Sequence, residues 1–280
     1  MSDPADPQQL ESLLRRHRIA LSHRFGQNFL VDPQLRDAIA EAAGIQPDDT
    51  VLEVGAGVGT LTLALAPRCR KLIAVELDGG LIPALREVVA GQANVEIVQA
   101  DILRLDLAAL FPAGGEVVAG NIPYNLTGEL IRTLLDRPPR PRRLSLVVQK
   151  EVADRWAATT AASLATVAVH VFAEPRIVMT IPAGAFTPMP KVDSALVVLE
   201  VREKPAVNVD PGPFLRFVEA VFQFRRKQLG GTLARIARIP GRDAARRLTK
   251  LGIDPARRPQ TLTLREWEAV FLAFNLSPDR

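Results

Sequence analysis

Between Thr50 and Gln149 the chain alternates short, almost wholly apolar runs with longer stretches in which apolar residues return every three or four positions. The short runs are Thr50-Val51-Leu52-Glu53-Val54, Lys71-Leu72-Ile73-Ala74-Val75-Glu76, Val95-Glu96-Ile97-Val98-Gln99-Ala100-Asp101, Glu116-Val117-Val118-Ala119-Gly120 and Leu144-Ser145-Leu146-Val147-Val148-Gln149. Runs of this length, rich in β-branched residues and bounded by turn residues, predict buried strands. Alternation with helical periods predicts βαβ units and an open α/β sheet. Helices are expected over 8–20, with Leu10, Leu13, Leu14 and Ile19 opposite Arg15, Arg16 and Arg18, and over 34–43 behind an Asp32 cap and Pro33. Others are expected over 60–66, 126–135, 151–159 and the alanine-rich 161–172.

Two later β-rich runs, 176–181 and 195–201, flank a stretch whose Pro182, Pro188 and Pro190 predict a rigid irregular loop presenting Phe186 at the sheet edge. Residues 24–32 break the helical pattern and read as a loop. Residues 202–211, with Pro205 and Pro211, read as a linker. Beyond it, Phe214, Phe217, Val218, Val221 and Phe222 recur at helical spacing as a core stripe, and helices over 243–251 and 264–274 complete a small unit. The expected division is a domain over 1–204, opened by a helical extension over 1–48, and a helical domain over 205–280.

Charge sharpens that division. Residues 202–280 carry 16 Lys+Arg against 8 Asp+Glu, and residues 1–201 carry 19 against 23, within a chain whose net charge is +4. The basic end points to a polyanion partner or to a solvated cationic face. No run of about 18 apolar residues and no cationic-then-apolar leader occurs, so the expectation is a cytoplasmic protein without a membrane span. Cys69 stands alone, which excludes an intrachain disulfide and a cysteine-rich metal site. His17, His23 and His170 lack ligand spacing, so no metal is expected.

Chemistry concentrates at strand ends. Gly55-Ala56-Gly57-Val58-Gly59 follows the first strand as a tight turn, and Glu76 ends the next strand, where it can accept from both ribose hydroxyls of a nucleoside. A dinucleotide fingerprint would place glycine where Thr60 stands, so a ligand without a pyrophosphate fits better, and S-adenosylmethionine is one. Asp101 can accept from the adenine amine of such a ligand or cap the following helical turn. Asn121-Ile122-Pro123-Tyr124 sits on the loop after the fourth strand. Its amide, its φ-fixing proline and its ring suit a flat nitrogen base. Asn121 and the Ile122 carbonyl would accept from the amine, Tyr124 would stack, and Phe186 would close the other face. A proline turn with a core tyrosine is the plainer reading of the same residues. Arg225-Arg226-Lys227 either complements a helix C-terminus or binds phosphates.

The ordered set Gly26-Gln27-Asn28-Phe29-Leu30, Glu53-Val54-Gly55-Ala56-Gly57-Val58-Gly59, Val75-Glu76-Leu77-Asp78, Ala100-Asp101, Asn121-Ile122-Pro123-Tyr124, Phe186-Thr187-Pro188-Met189-Pro190-Lys191-Val192-Asp193-Ser194 and Phe224-Arg225-Arg226-Lys227 resembles the ribosomal RNA adenine dimethyltransferases over residues 22–275. The resemblance implies a Rossmann-like class I methyltransferase domain with a seven-stranded sheet, followed by a small all-α C-terminal domain. It implies that Asn28, Leu30, Gly55, Gly57, Glu76, Asp101 and Asn121 contact S-adenosylmethionine, and that Arg225, Arg226 and Lys227 contact RNA. The implied reaction dimethylates the N6 of two adjacent adenines in a hairpin near the 3′ end of small-subunit rRNA, within a pre-30S particle, by a monomer. Thr159-Thr160-Ala161-Ala162-Ser163-Leu164 and Gly231 depart from the family's usual Tyr-Gly pair and asparagine. Rival readings are a large-subunit rRNA adenine methyltransferase of the antibiotic-resistance type, a non-catalytic nucleic-acid-binding factor on the same scaffold, and a nicotinamide-dependent oxidoreductase, which Thr60 disfavours.

Overall fold

A computed structural model of the chain describes residues 3–20, 27–110, 116–136 and 138–274. His23, the first three residues of the expected 24–32 loop and with them Gly26 of the first motif lie outside them. The first helix, α1 (Pro7–Arg16), begins where the Asp6 carboxylate accepts from the Gln8 and Gln9 N–H groups, buries Leu10 and Leu13, and stops short of residue 20. Then follow β1 (Phe29–Leu30), α2 (Pro33–Ala42), β2 (Thr50–Val54), α3 (Thr60–Leu65), β3 (Lys71–Glu76), α4 (Ile82–Val88), β4 (Val95–Gln99), α5 (Leu107–Leu110), β5 (Val117–Asn121), α6 (Thr127–Leu135), β6 (Arg143–Gln149) and α7 (Lys150–Ala157). The remainder is α8 (Leu164–Phe172), β7 (Ala173–Ile181), β8 (Phe186–Thr187), β9 (Ser194–Val201), α9 (Pro211–Phe222), α10 (Leu229–Ala237), α11 (Gly241–Lys250) and α12 (Leu264–Phe274).

Seven strands form one sheet in the order β4-β3-β2-β5-β6-β9-β7, the Rossmann-like arrangement that the strand runs imply. Strands β4, β3, β2, β5 and β6 pair in parallel, and β9 runs antiparallel to β6. Connections leave β2 in one direction and β5 in the other, so a crevice opens at their carboxyl ends, where open α/β sheets bind ligands. Helices α2 and α3 close one side of this sheet through Ile39, Ala40, Leu61 and Leu65, while α1 and α4 bury Leu10, Leu13, Leu85 and Val88 in a second cluster.

Two short strands depart from expectation. Phe29–Leu30 pairs antiparallel with Phe186–Thr187, so both the 24–32 segment and the proline-rich loop contribute two residues each to regular structure. The prolines at 182, 188 and 190 flank these two residues without removing a donor from them.

The chain packs as two compact units, one from Met1–Asp154 and Pro175–Val201, the other from Arg155–Glu174 and Arg202–Arg280. Residues 155–174, expected within the 1–204 segment, pack with the C-terminal helices. The reason is that α8 is apolar on nearly every side, with Val167, Ala168, Val169, Val171 and Phe172 all buried, and a helix apolar all round needs cover on all sides. The expected linker lies along it: Arg202 and Ala206 N–H groups donate to Phe172 O at 2.7 Å and Val171 O at 2.8 Å. In the second unit Phe214 meets Phe271 edge-on at 5.6 Å between ring centroids, and Phe222 lies 5.3 Å from Trp267. Helix α10 was hidden in the sequence by Gly230-Gly231, of which Gly230 packs closely on Pro255. Among the described residues no helix is long and apolar enough to cross a membrane.

Gly120, at the heart of β5, shows how tightly the crevice wall is built. A Cβ there would lie 2.5 Å from the Val54 carbonyl oxygen and 3.0 Å from Ile122 Cδ1. Gly120→Ala is therefore expected to destabilise the protein by about 1–3 kcal/mol through overpacking, read as a lower urea midpoint at unchanged slope. An unmoved midpoint would show that the wall yields freely.

Candidate active site

Local rules place the first wall of the cavity. The turn after β2 reverses tightly because Gly55, Gly57 and Gly59 take φ of 72°, 60° and 92°, values that residues with a Cβ rarely adopt. Glu76, at the end of β3, reaches across to it: Oε2 accepts from the Gly57 N–H at 2.7 Å and Oε1 from the Asp78 N–H at 2.8 Å. Glu76 is 8% exposed. Burial pushes its carboxyl upward, and the backbone N–H groups of Asp78, Gly57 and Leu77 partly oppose that.

The second wall comes from the loop after β5. Asn121 Nδ2 donates to the Asn28 carbonyl at 2.8 Å, and the Ile122 N–H donates to Val147 O at 3.0 Å. Tyr124 is not a core residue: half-buried, its hydroxyl bonds Ser194 Oγ at 2.9 Å, and burial raises its phenol while Ser194 opposes the shift. Phe186, 3% exposed, arrives on β8 by pairing with Leu30. All of the pocket residues singled out from sequence line one cavity: Asn28 and Leu30, Gly55 and Gly57, Glu76 and Asp101, and Asn121, Ile122, Pro123, Tyr124 and Phe186. Asp101 also realises the alternative role, its Oδ1 accepting from the Leu103 N–H at 3.0 Å as a cap. Arg225, Arg226 and Lys227 are exposed on the turn between α9 and α10, so they lie beyond the helix that was expected to run into them.

Two further residues belong here. Ser194, fully buried, holds the Tyr124 hydroxyl; its sequence signal was a lone polar residue at the start of an apolar strand. Glu53 borders the same cavity at 1% exposure, and its signal was a charge inside the apolar run of β2. Glu53 Oε2 and the hydroxyls of Thr60 and Thr62 have no hydrogen-bond partner. Burial pushes the Glu53 carboxyl up to about 8, opposed by nearby Thr62 and assisted by the charge of Glu76. Thr62 acts there through its backbone N–H as well, while its hydroxyl closes no hydrogen bond. Three carboxylates and, among the described residues, no Lys, Arg or His line the cavity. An acidic cleft with an orphaned buried carboxyl oxygen fits a cationic nucleoside, and the sulfonium of S-adenosylmethionine makes it one. No three described His, Cys, Asp or Glu side chains are grouped to hold a metal.

The raised Glu53 carboxyl has a consequence for stability. Its folded value of about 8 lies above the ordinary 4.5, so its contribution is fully present below the ordinary value and is lost as pH rises through the folded one. That loss is on the order of 5 kcal/mol at most in the ligand-free protein. Between about pH 4.5 and about pH 8 Glu53→Gln should keep more of its melting temperature than the wild-type protein does; parallel declines would mean that Glu53 is solvated.

Comparison with known proteins agrees with this geometry. A family model described as ribosomal RNA adenine dimethylase matches residues 19–275. A protein of Pelotomaculum thermopropionicum named ribosomal RNA small subunit methyltransferase A is 40% identical over 285 residues, covering 96% of this chain and 97% of its own. One of the same name from Geobacillus kaustophilus is 37% identical, covering 96% of each. Among solved structures, the 23S rRNA methyltransferase ErmE superposes with a TM-score of 0.68 at 29% identity, over 89% of this chain and 100% of that one. A dimethyladenosine transferase from Plasmodium falciparum reaches 0.68 at 26% identity, over 87% and 96%. With its glycine turn, acidic cleft and Asn-Ile-Pro-Tyr loop in one cavity, the chain belongs to the ribosomal RNA adenine dimethylase family, whose methyl donor is S-adenosylmethionine.

Proposed function

We propose that this chain dimethylates the N6 of two adjacent adenines in a hairpin near the 3′ end of small-subunit rRNA, acting as a cytoplasmic monomer on a pre-30S particle. The observation that carries the reading is the Asn121 amide: its Nδ2 is committed to Asn28 O, so Oδ1 is the atom left to accept from a substrate amine.

The unit of residues 1–154 and 175–201 would hold both small ligands, and the unit that includes 205–280 the RNA. Each Glu76 oxygen accepts from one N–H and keeps capacity for a ribose hydroxyl. Asp101 would take the cofactor's adenine amine, and the Asn28–Leu30 segment with Gly55 and Gly57 would line the remainder. S-adenosylmethionine supplies, when bound, a methyl group on a sulfonium ready to leave. An adenine extruded from its stack would lie between Tyr124 and Phe186, its amine hydrogens accepted by Asn121 Oδ1 and the Ile122 carbonyl. Those two acceptors favour a pyramidal nitrogen whose lone pair is free to attack, and Pro123 keeps the turn stiff. The attacked amine is acidic enough to lose its proton to water, so positioning supplies most of the rate. After one transfer the nitrogen retains a hydrogen and a lone pair, and the same contacts can present it again.

The test is incubation with labelled S-adenosylmethionine and undermethylated small subunits, followed by mapping of the modified nucleotides. The likeness to ErmE supports a second reading in which the adenine lies in large-subunit rRNA. Label appearing there, and not in small subunits, would replace the first.

Three expectations follow from this reading. Asn121→Ala should lower turnover by about 10²–10³-fold, the scale of one lost preorganised contact, with cofactor affinity changed far less. Tyr124→Ala should weaken capture of the base by about 1–3 kcal/mol, whereas Tyr124→Phe keeps the stacking face and loses only the Ser194 bond, about 1 kcal/mol; equal loss in both would refute stacking. Replacing Arg225, Arg226 and Lys227 together by Ala should flatten the slope of log RNA affinity against log salt by about 2–3, and an unchanged slope would leave those side chains solvated bystanders.

A further inference from the structure

Of the three carboxylates that line the cavity, two are already engaged. Glu76 holds the Gly57 and Asp78 N–H groups; Asp101 holds the Leu103 N–H and lies 3.4 Å from Arg104 Nε. Glu53 alone keeps an oxygen with no partner. Its neighbours across the sheet are Ala74 on β3 and Ala119 on β5, which bring no charge to its level. Helix α3 carries no charged residue, and what it offers the carboxyl is the hydroxyl and the backbone N–H of Thr62. The titratable groups that sense it are Glu76 and the Cys69 thiol; Asp49, which also acts on Cys69, is paired with Arg142 at 2.5 Å.

A buried carboxyl with no cation and an open hydrogen-bonding oxygen is disfavoured as an anion until positive charge enters the cavity. S-adenosylmethionine carries one net positive charge, and S-adenosylhomocysteine, its demethylated product, carries none. Transfer breaks the sulfur–methyl bond with its electron pair kept on sulfur, forms the nitrogen–methyl bond and releases the amine proton to water. The cavity thereby loses the charge that had favoured the Glu53 anion. We propose that Glu53 is the residue by which this pocket prefers the charged methyl donor to its neutral product: deprotonated beside the donor, and protonated, by a proton taken up from water, in the empty and product-bound states. The inference rests on S-adenosylmethionine occupying this cavity. The position of the Glu53 carboxyl near 8 agrees with a mostly protonated empty state at neutral pH, and the arrangement makes product release a charge-linked event.

The experiment is calorimetric titration of the full chain, without RNA, with S-adenosylmethionine or S-adenosylhomocysteine near about pH 7 in buffers of differing ionisation enthalpy. Binding of the donor should release about one proton, and binding of the product close to none. In Glu53→Gln the released proton should vanish, and the donor-to-product affinity ratio should fall about tenfold or more and become flat between about pH 5 and about pH 8, where the wild-type ratio rises. Equal proton release by both ligands, or an unchanged ratio in a folded Glu53→Gln, would overturn the proposal. Should that variant fail to fold, the wild-type proton counts decide alone. Failure of both ligands to bind would instead overturn the cofactor assignment, and this inference with it.

Discussion

One hydrogen bond ties the cavity together: Asn121 Nδ2 to the Asn28 carbonyl, 2.8 Å, across 93 residues of sequence. It fixes which end of the amide remains available, and it clamps the segment that continues into β1. Because β1 pairs with β8, the same two residues that follow Asn28 also bring Phe186 into the cavity. The chain then returns through Ser194 at the head of β9, whose hydroxyl holds Tyr124. Amide, ring and opposing ring are thus set by one closed circuit of short contacts. Loops positioned this way by a rigid sheet are a common home for chemistry.

The second organising constraint is charge in a poorly hydrated place. Parallel strands buried on both faces leave their polar ends at one edge, and here that edge carries Glu53, Glu76 and Asp101, with Arg104 beside Asp101 and no described cation lining the cavity. Backbone N–H groups neutralise part of the cost at Glu76. At Glu53 only Thr62 does so, and one oxygen stays without a partner, which is why burial acts on it so strongly. A site that is uncomfortable when empty gains most from a positively charged guest, and the sulfonium donor used by this family is such a guest.

Periodicity alone determined a great deal about this protein. Five apolar runs became the five parallel strands β2–β6: a strand buried on both faces leaves a continuous apolar signature that short-range rules detect, although β4, at the sheet edge, buries none of its residues fully. The glycine turn, the strand-end acids and the Asn-Ile-Pro-Tyr loop could be assigned to the crevice for the same reason: in an alternating α/β chain, strand ends and ligand edge coincide. Helix α10 escaped, since Gly230-Gly231 lowers helical propensity while packing against Pro255 maintains the helix.

What only the tertiary structure decided were the pairings between segments far apart in the chain. Two-residue strands have no period to read, so β1 and β8 exist only because each finds the other. The apolar helix α8 could have served either unit until its partners were seen, and with it residues 155–174 moved to the C-terminal one. The sequence showed that Glu53 sits in an apolar strand, but whether that charge would be paired depended on its cross-strand neighbours. Those neighbours are two alanines, and a carboxyl between alanines meets no countercharge from either strand, a condition created by assembly of the sheet and not by local sequence.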